Sequence, residues 1–373
     1  MLTDLPRDVL ERILSFVQYA SPPAQFARLA LATPSLHTLV DQLLVRNLVF
    51  STSGSVQAFL ARVEAGSNAA SDTRTLVLRK SDVEAQSGRG TRRRRGEANE
   101  SCSEEDLLRL CLACVGLEEL RLEGPAFTTL KRRQLGFASN LSSLRVLSIA
   151  GSRAGFNLHA IGQILQDLPQ LEELDLKRIQ ASPAALKAPP RPLCRLRRFA
   201  LHSSPAVSPQ QLEWLLGASI QADSLRHLDF DIAEIPPSRL GGLRWAATPV
   251  RSLHLTSSNM RAVEKLAQHF PTLSSFAFTT SGHPDAFILL SSCGTSATFE
   301  ELVDRSDSRC GLPPLELASA LLYLRRQGQL ASLRRVVLPS HRQFDQAFSV
   351  LVEVCASLGM SCDTMPVAAS TSD

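Results

Sequence analysis

Leu117-Glu118-Glu119-Leu120-Arg121-Leu122 and Leu144-Arg145-Val146-Leu147-Ser148-Ile149 spell one short unit, apolar-x-x-apolar-x-apolar. The unit returns as Leu171-Leu174-Leu176, Leu196-Phe199-Leu201, Leu225-Leu228-Phe230, Val250-Leu253-Leu255 and Leu273-Phe276-Phe278. First positions thus fall at 117, 144, 171, 196, 225, 250 and 273, a nearly even series. Unrelated helices and strands would not hold such a period. The step lies within the roughly 20–29-residue range at which short strand–helix turns stack into a solenoid. Each unit reads as a strand whose alternate residues point inward, followed by a helix on the outer side. The predicted fold class is therefore an α/β solenoid, with parallel strands on its concave face and helices outside.

The helices carry their own punctuation. Ser208-Pro209-Gln210-Gln211 supplies an N-cap, a proline at the first helical position and a capping-box glutamine. Leu158, Ile161, Ile164, Leu165 and Leu168 form one apolar stripe. Val263, Leu266 and Phe270 form another, and Phe348, Leu351, Val352 and Cys355 mark a closing helix. Upstream, Val45–Phe50 followed by Val56–Val63 reads as a degenerate first unit. Phe278 is the last regular position. After Leu273 the next clear copy is Leu333-Val336-Leu338, more than two periods on. Within that gap, Phe287–Leu290 reads as a strand, Leu315–Arg325 as a helix and 291–314 as a loop. Residues 82–103 form a polar insertion containing Arg92-Arg93-Arg94-Arg95. It reads as a solvated charged loop, with a nuclear signal or phosphate-contacting role as the sharper alternative. The expected division is a helical head at 1–50, a solenoid at 51–362 and a tail at 363–373.

The head is built differently. Pro6 and Asp8 suit a helix start. Val9, Leu10, Ile13, Leu14 and Val17 follow at helical spacing. Phe26, Leu29 and Ala30 line a second short helix, and Leu36, Leu39, Val40, Leu43 and Leu44 a third. Three short helices in so short a segment bury too little surface to be very stable alone. The run Leu5-Pro6-x-x-Val9-Leu10-x-x-Ile13-Leu14-Ser15-Phe16-Val17, then Phe26-Ala27-Arg28-Leu29-Ala30, resembles the F-box. The family's frequent Cys and Trp near the third helix are replaced by Thr33 and Leu36. The repeats resemble the irregular leucine-rich repeats of F-box proteins, especially fungal ones. They lack that family's asparagine ladder, having Pro125, Ser152, Ile179, Ser204, Ala233 and Ser258 instead.

What this resemblance implies is a non-enzymatic substrate receptor of an SCF-type cullin-RING ubiquitin ligase. The head would bind a Skp-type adaptor, and through it the cullin scaffold, with Leu5, Pro6, Val9, Leu10, Ile13, Leu14 and Phe16. The repeats would hold a protein substrate. The alternative is a leucine-rich scaffold with no part in ubiquitination. On the concave face, residues alternating with the spine include Arg121, Glu173, Asp175, Lys177, Arg198, His202, His227, Asp229, Asp231 and His254. Neighbouring strands lie about 4.8 Å apart, which puts Asp229 beside His254. Arg121, Glu173, Asp175, Arg198, Asp229, Asp231 and His254 are the expected substrate-contacting residues. Metal ligation would need three or four converging ligands. A charged recognition surface is the reading preferred here.

Composition narrows the classes. Hydrophobic residues make up 44% and aromatics only 5%, a bias toward leucine packing over an aromatic-lined pocket. The 40 basic and 36 acidic residues leave a net charge of +4, too balanced for a dedicated nucleic-acid binder. No GxSxG, Walker or HExxH pattern occurs. Cys111-Leu112-Ala113-Cys114 lacks a second ligand pair and continues the stripe Leu107, Leu110, Cys111, Cys114, so core packing is expected. No metal or cofactor is expected. With no secretory start and no apolar run of roughly 20 residues, the expectation is a soluble chain, cytoplasmic, nuclear or both.

Overall fold

The computed structural model describes residues 9, 10, 13, 14, 40, 43–79, 102–123, 140–150, 156–180, 191–204, 207–231, 249–307 and 310–366. They belong to two compact units, Met1–Ala154 and Gly155–Asp373. In the first, β1 (Asn47–Phe50), β2 (Thr75–Arg79), β3 (Glu119–Glu123) and β4 (Val146–Ala150) lie side by side in chain order, all parallel. Parallel neighbours need crossover segments. Those described are α1 (Ser53–Glu64), α2 (Ala69–Asp72) and α3 (Glu104–Ala113). The degenerate first unit is thus present as β1 and α1. Leu76, Leu120 and Leu147 stand in one register row, and Leu78, Leu122 and Ile149 in the next; all six are buried. Each such aliphatic contributes about 1.5–3 kcal/mol by leaving water.

Ser103 caps α3 with a reciprocal box. Its hydroxyl accepts from the Asp106 N–H at 3.1 Å, and Asp106 accepts from the Ser103 N–H at 2.9 Å. The same carboxylate accepts from Gln57 Nε2 at 2.8 Å, tying α3 to α1. The stripe Leu107, Leu110, Cys111 and Cys114 is buried as expected. Burial pushes the Cys114 thiol up to about 11 and the Cys111 thiol higher still. Both are inert packing groups at neutral pH.

The second unit holds β5 (Phe156–Asn157), β6 (Glu173–Lys177), β7 (Ile179–Gln180), β8 (Arg198–His202), β9 (His227–Asp231), β10 (Ser252–Ser257), β11 (Ser275–Thr280), β12 (Glu301–Asp304), β13 (Arg335–Pro339) and β14 (Ser361–Met365). β5 and β7 pair with each other. The other eight form a parallel sheet in chain order. Among the described residues its α-helices are α4 (Leu158–Gln166), α5 (Pro209–Gln221), α6 (Met260–Leu266), α7 (Ala286–Cys293), α8 (Pro314–Arg326) and α9 (Gln346–Ser357). Leu174, Phe199, Leu228, Leu253, Phe276, Leu302 and Val336 align strand by strand into one apolar row. A parallel α/β repeat solenoid is therefore the architecture of each unit.

The predicted cap on α5 forms as a box. Ser208 accepts from the Gln211 N–H at 3.3 Å, and Gln211 Oε1 accepts from the Ser208 N–H at 2.7 Å. Gly162 lets the Trp214 ring of α5 lie against α4, since a Cβ there would stand 1.9 Å from the ring. Hydroxyls do the turn-closing work left by the missing asparagines. Ser204 accepts from the Ile179 N–H at 2.9 Å and donates to the His202 carbonyl at 2.8 Å. Ser306 accepts from the Thr280 N–H at 3.0 Å, and Ser257 from the Asn259 N–H at 3.0 Å. Pro125, Ser152 and Ala233 lie outside the described residues, as do Arg92–Arg95.

Three expectations need correction. The period does not fail after Phe278: Phe299, Leu302 and Asp304 make the next unit, one ordinary step beyond Leu273. Asp304 occupies the third apolar position, and that one substitution hid the strand. Phe287–Leu290 is part of helix α7, not a strand. Its apolar residues run on without alternation, a pattern shared by buried strands and buried helices. The last strand extends through Met365, past the predicted end of the solenoid at 362, pairing Val337 with Asp363 and Pro339 with Met365. The helix expected at Leu315–Arg325 is present as α8.

Asp304 is fully buried. Its Oδ1 accepts from the Ser306 N–H at 2.9 Å and its Oδ2 from the Leu312 N–H at 2.7 Å. Gly311 has φ +85°, and a Cβ on it would sit 2.2 Å from Asp304 Oδ2. The loop from β12 to α8 is thus wrapped onto a carboxyl group. Burial pushes that carboxyl above the ordinary range, although the bonds from Ser306 and Leu312 and the charge of Arg342 oppose the shift.

Candidate functional site

Residues alternating with the spine face the other side of the sheet. Across β8 to β10 that face is mostly polar, and on β11 it begins to turn apolar. Ala200, Asp229, His254 and Ala277 form its middle register row. Asp229 Oδ1 lies 2.9 Å from His254 Nδ1, and Asp229 Oδ2 lies 3.7 Å from His202 Nε2. The other imidazole nitrogen of His254 is 3.3 Å from Thr279 Oγ1. One carboxylate therefore gathers two imidazoles, and one of these reaches a hydroxyl on β11. Burial alone would raise the Asp229 carboxyl. The close approach of His254, with the positive charges of His254, His202 and Arg198, outweighs it and holds the group below the ordinary carboxylate range. His227 titrates lower than an ordinary imidazole. Burial and the nearby Arg198 guanidinium push it down, Arg226 adds to this, and Glu173 opposes.

Carboxylate, imidazole and hydroxyl in series have the order of a nucleophilic relay. Acyl transfer also needs preorganised N–H donors aimed at a developing oxyanion. Here the backbone of β10 and β11 is committed to the parallel ladder. What the cluster offers is a close set of polar groups, with Asp229 Oδ1 and His254 Nδ1 buried near each other but left without a well-aligned hydrogen bond, which suits recognition.

Further along the same sheet the face changes character. Ala277, Val303 and Val337 occupy consecutive middle positions and are buried, with Met365 packed against them. Arg335 spans them from the side, bonding Asp363 at 2.7 Å and Glu301 at 3.1 Å, while Ser275 donates to Glu301 at 2.8 Å. This half of the face is closed by its own side chains.

Of the expected substrate-contacting residues, Asp229 and His254 are brought together. Asp231, beside them on β9, accepts from the Ser203 N–H at 3.3 Å. Glu173 and Arg198 face each other at 4.0 Å across β6 and β8, and Asp175 is exposed on β6. Arg121 belongs to the first unit, on β3, paired with Glu119; next to it Arg79 pairs with Glu123 at 3.1 Å. Exposed pairs of this kind are worth about 0–1 kcal/mol each. His202 and Thr279 complete the Asp229 cluster but were not among the expected contacts. Their links are diagonal, whereas the straight register carries His202 toward Asp231 and pairs Thr279 with Thr256. A hydroxyl or imidazole two positions from a registered pair is the signal that finds them.

In the head, Leu5, Pro6 and Phe16 lie outside the described residues. The four that are described separate into two pairs. Leu10 and Leu14 are buried, while Val9 and Ile13 are 37% and 38% exposed. The helical stripe thus has an inward half and an outward half.

Among the described residues no group of three or more His, Cys, Asp or Glu is placed to hold a metal ion, and no helix is long and apolar enough to cross a membrane. No protein-family model matches the sequence, and no curated protein matches it. Among solved structures, the chain is similar to the crystal structure of the Rad7 and Elc1 complex in yeast. The identity is 14%, the match covers 90% of this chain and 89% of that one, and the TM-score is 0.42.

Proposed function

We propose that this chain is the substrate-recognition adaptor of an SCF-type cullin-RING ubiquitin ligase. Its F-box-like head would bind a Skp-type adaptor, and its repeats would bind a protein substrate. The observation that carries the reading is the exposed pair Val9 and Ile13, standing one turn apart beside the buried Leu10 and Leu14. Two aliphatic side chains held at a helix surface favour burial against a partner, each worth about 1 kcal/mol for the third of its surface still in water, before association costs. They also belong to the motif that resembles the F-box. For the substrate, the polar groups around Asp229 offer oriented contacts, whereas Ala277, Val303 and Val337 are already covered. The chain performs no chemistry in this reading. It raises the effective concentration of a substrate lysine near a charged ubiquitin-carrying enzyme.

The test is retention of a purified Skp-type adaptor on the immobilised full chain. Val9→Glu/Ile13→Glu should reduce retention by at least about 100-fold, since two desolvated contacts are replaced by charges. Leu10 and Leu14 are poor choices, because their loss would unfold the head. Full retention by the double variant, with an unchanged circular dichroism spectrum, would leave the plain scaffold as the better reading. Asp229→Asn/Asp231→Asn should keep the adaptor and lose substrate proteins in affinity purification. An unchanged protein set would remove this face from the proposal.

A further inference from the structure

The helical side of the second unit carries an apolar surface that the open face of the sheet does not explain. Phe287 on α7 and Tyr323 on α8 meet edge to face, with ring centroids 5.3 Å apart, yet remain 43% and 53% exposed. Leu315 is 57% exposed, and Ile288 is exposed beside Phe287. An aromatic side chain carries about 150–250 Å², so the four residues leave roughly 300–400 Å² of apolar surface in water. Only Phe287 and Tyr323 touch, and Leu315 stands two turns from Tyr323 along α8 with the exposed Ser319 between them. Aromatic pairs of this kind are typical anchors of interfaces.

The geometry selects an occupant. Leu315, Ser319 and Tyr323 follow one another at i, i+4 and i+8 along α8, all exposed. A stripe running along a helix axis with about 6 Å between steps matches the spacing of a second helix. Charge fixes its direction. Glu316 lies in the first turn of α8 and Arg325 and Arg326 in the last, about 15 Å apart along the axis. Arg325 donates to the Leu333 carbonyl at 3.2 Å, which leaves Arg326 as the outward charge at that end. Ordinary helices favour acidic residues in their first turn and basic residues in their last. Such a helix meets both charges of α8 favourably only when laid antiparallel to it. We propose that the α7–α8 surface docks an amphipathic helix of a partner protein, antiparallel to α8, with its apolar stripe on Phe287, Leu315 and Tyr323. This site is independent of the ubiquitin reading and of the Asp229 face.

Two fluorescent peptides, each about five helical turns long, test it against the full chain at low salt. Both carry leucines at i, i+4 and i+8. One has Glu in the first turn and Lys in the last, and the other has these exchanged. The first should bind the wild-type chain about tenfold more tightly. Tyr323→Ala should weaken it by about tenfold. Because the exchanged peptide is also the poorer helix former, the deciding arm is Glu316→Lys/Arg326→Glu, which should shift the ratio by at least about fivefold toward that peptide. Circular dichroism would confirm that the variants fold. A ratio unmoved by the double charge swap overturns the proposal, as does binding insensitive to Tyr323→Ala. Concentration-dependent self-association lost on Tyr323→Ala would overturn it in favour of a second copy as occupant.

Discussion

Two aspartates three strands apart in the same sheet have opposite lives. Asp229 on β9 points to the polar face, is touched by imidazoles and is held below the ordinary carboxylate range. Asp304 on β12 points into the spine, in the place of a leucine, and is pushed above it. The second is the more structural of the two. It satisfies two backbone N–H groups that no ladder partner reaches, and its loop is folded around it. The contrast shows how one residue type serves recognition or loop closure according to the side of a strand it occupies. Parity along the strand decides which.

The sharpest way to break this contrast is Asp304→Leu, which restores the repeat consensus. On sequence grounds alone it should stabilise. The structure predicts the reverse, a loss of about 2–5 kcal/mol, because the Ser306 and Leu312 N–H groups would stay buried and unpaired. Urea denaturation of the full chain checks it, and a neutral or stabilising result would reduce Asp304 to an accident of packing. Gly311→Ala comes next. Its methyl group would strike the Asp304 carboxyl from a backbone conformation that favours glycine, at a cost of about 1–3 kcal/mol. Because the two positions touch, their effects should not add.

That same position marks where the sequence stops being readable. From Leu117 to Leu273 the spine keeps its period because every third-position residue is apolar, so the strands, their order and the Asp229–His254 adjacency all follow. At Asp304 the hydrogen-bonding need of the loop that follows overrode the hydrophobic pattern, and the strand vanished from view. α7 was lost for another reason: Ala286–Cys293 is buried on one side and presents Phe287 and Ile288 on the other, so its apolar run shows no clear helical gap. In the head, i, i+4 spacing groups Val9 with Ile13 and Leu10 with Leu14. It cannot say which pair turns inward, because all four are equally apolar. His202 and Thr279 escaped because diagonal contacts depend on side-chain reach, which spacing does not encode.

Titration gives the smallest effect and the cleanest sign. The Asp229 carboxyl is lower in the folded chain than the ordinary value of 3.8. Its contribution is therefore present above that value and is lost as pH falls through the folded one. Asp304 is raised. Its contribution is fully present below the ordinary value and is lost as pH rises through the folded one. Stability should thus climb from strong acid as Asp229 ionises, then give some back as Asp304 does. Asp229→Asn should flatten the first limb and cost about 1 kcal/mol at neutral pH. Asp304→Asn should flatten the second limb while lowering stability throughout, because its amide nitrogen cannot accept from both N–H groups. Unfolding midpoints measured across pH for wild type and both variants decide the matter. Two variants that changed the same limb would mean that the two carboxyls do not differ as their surroundings require.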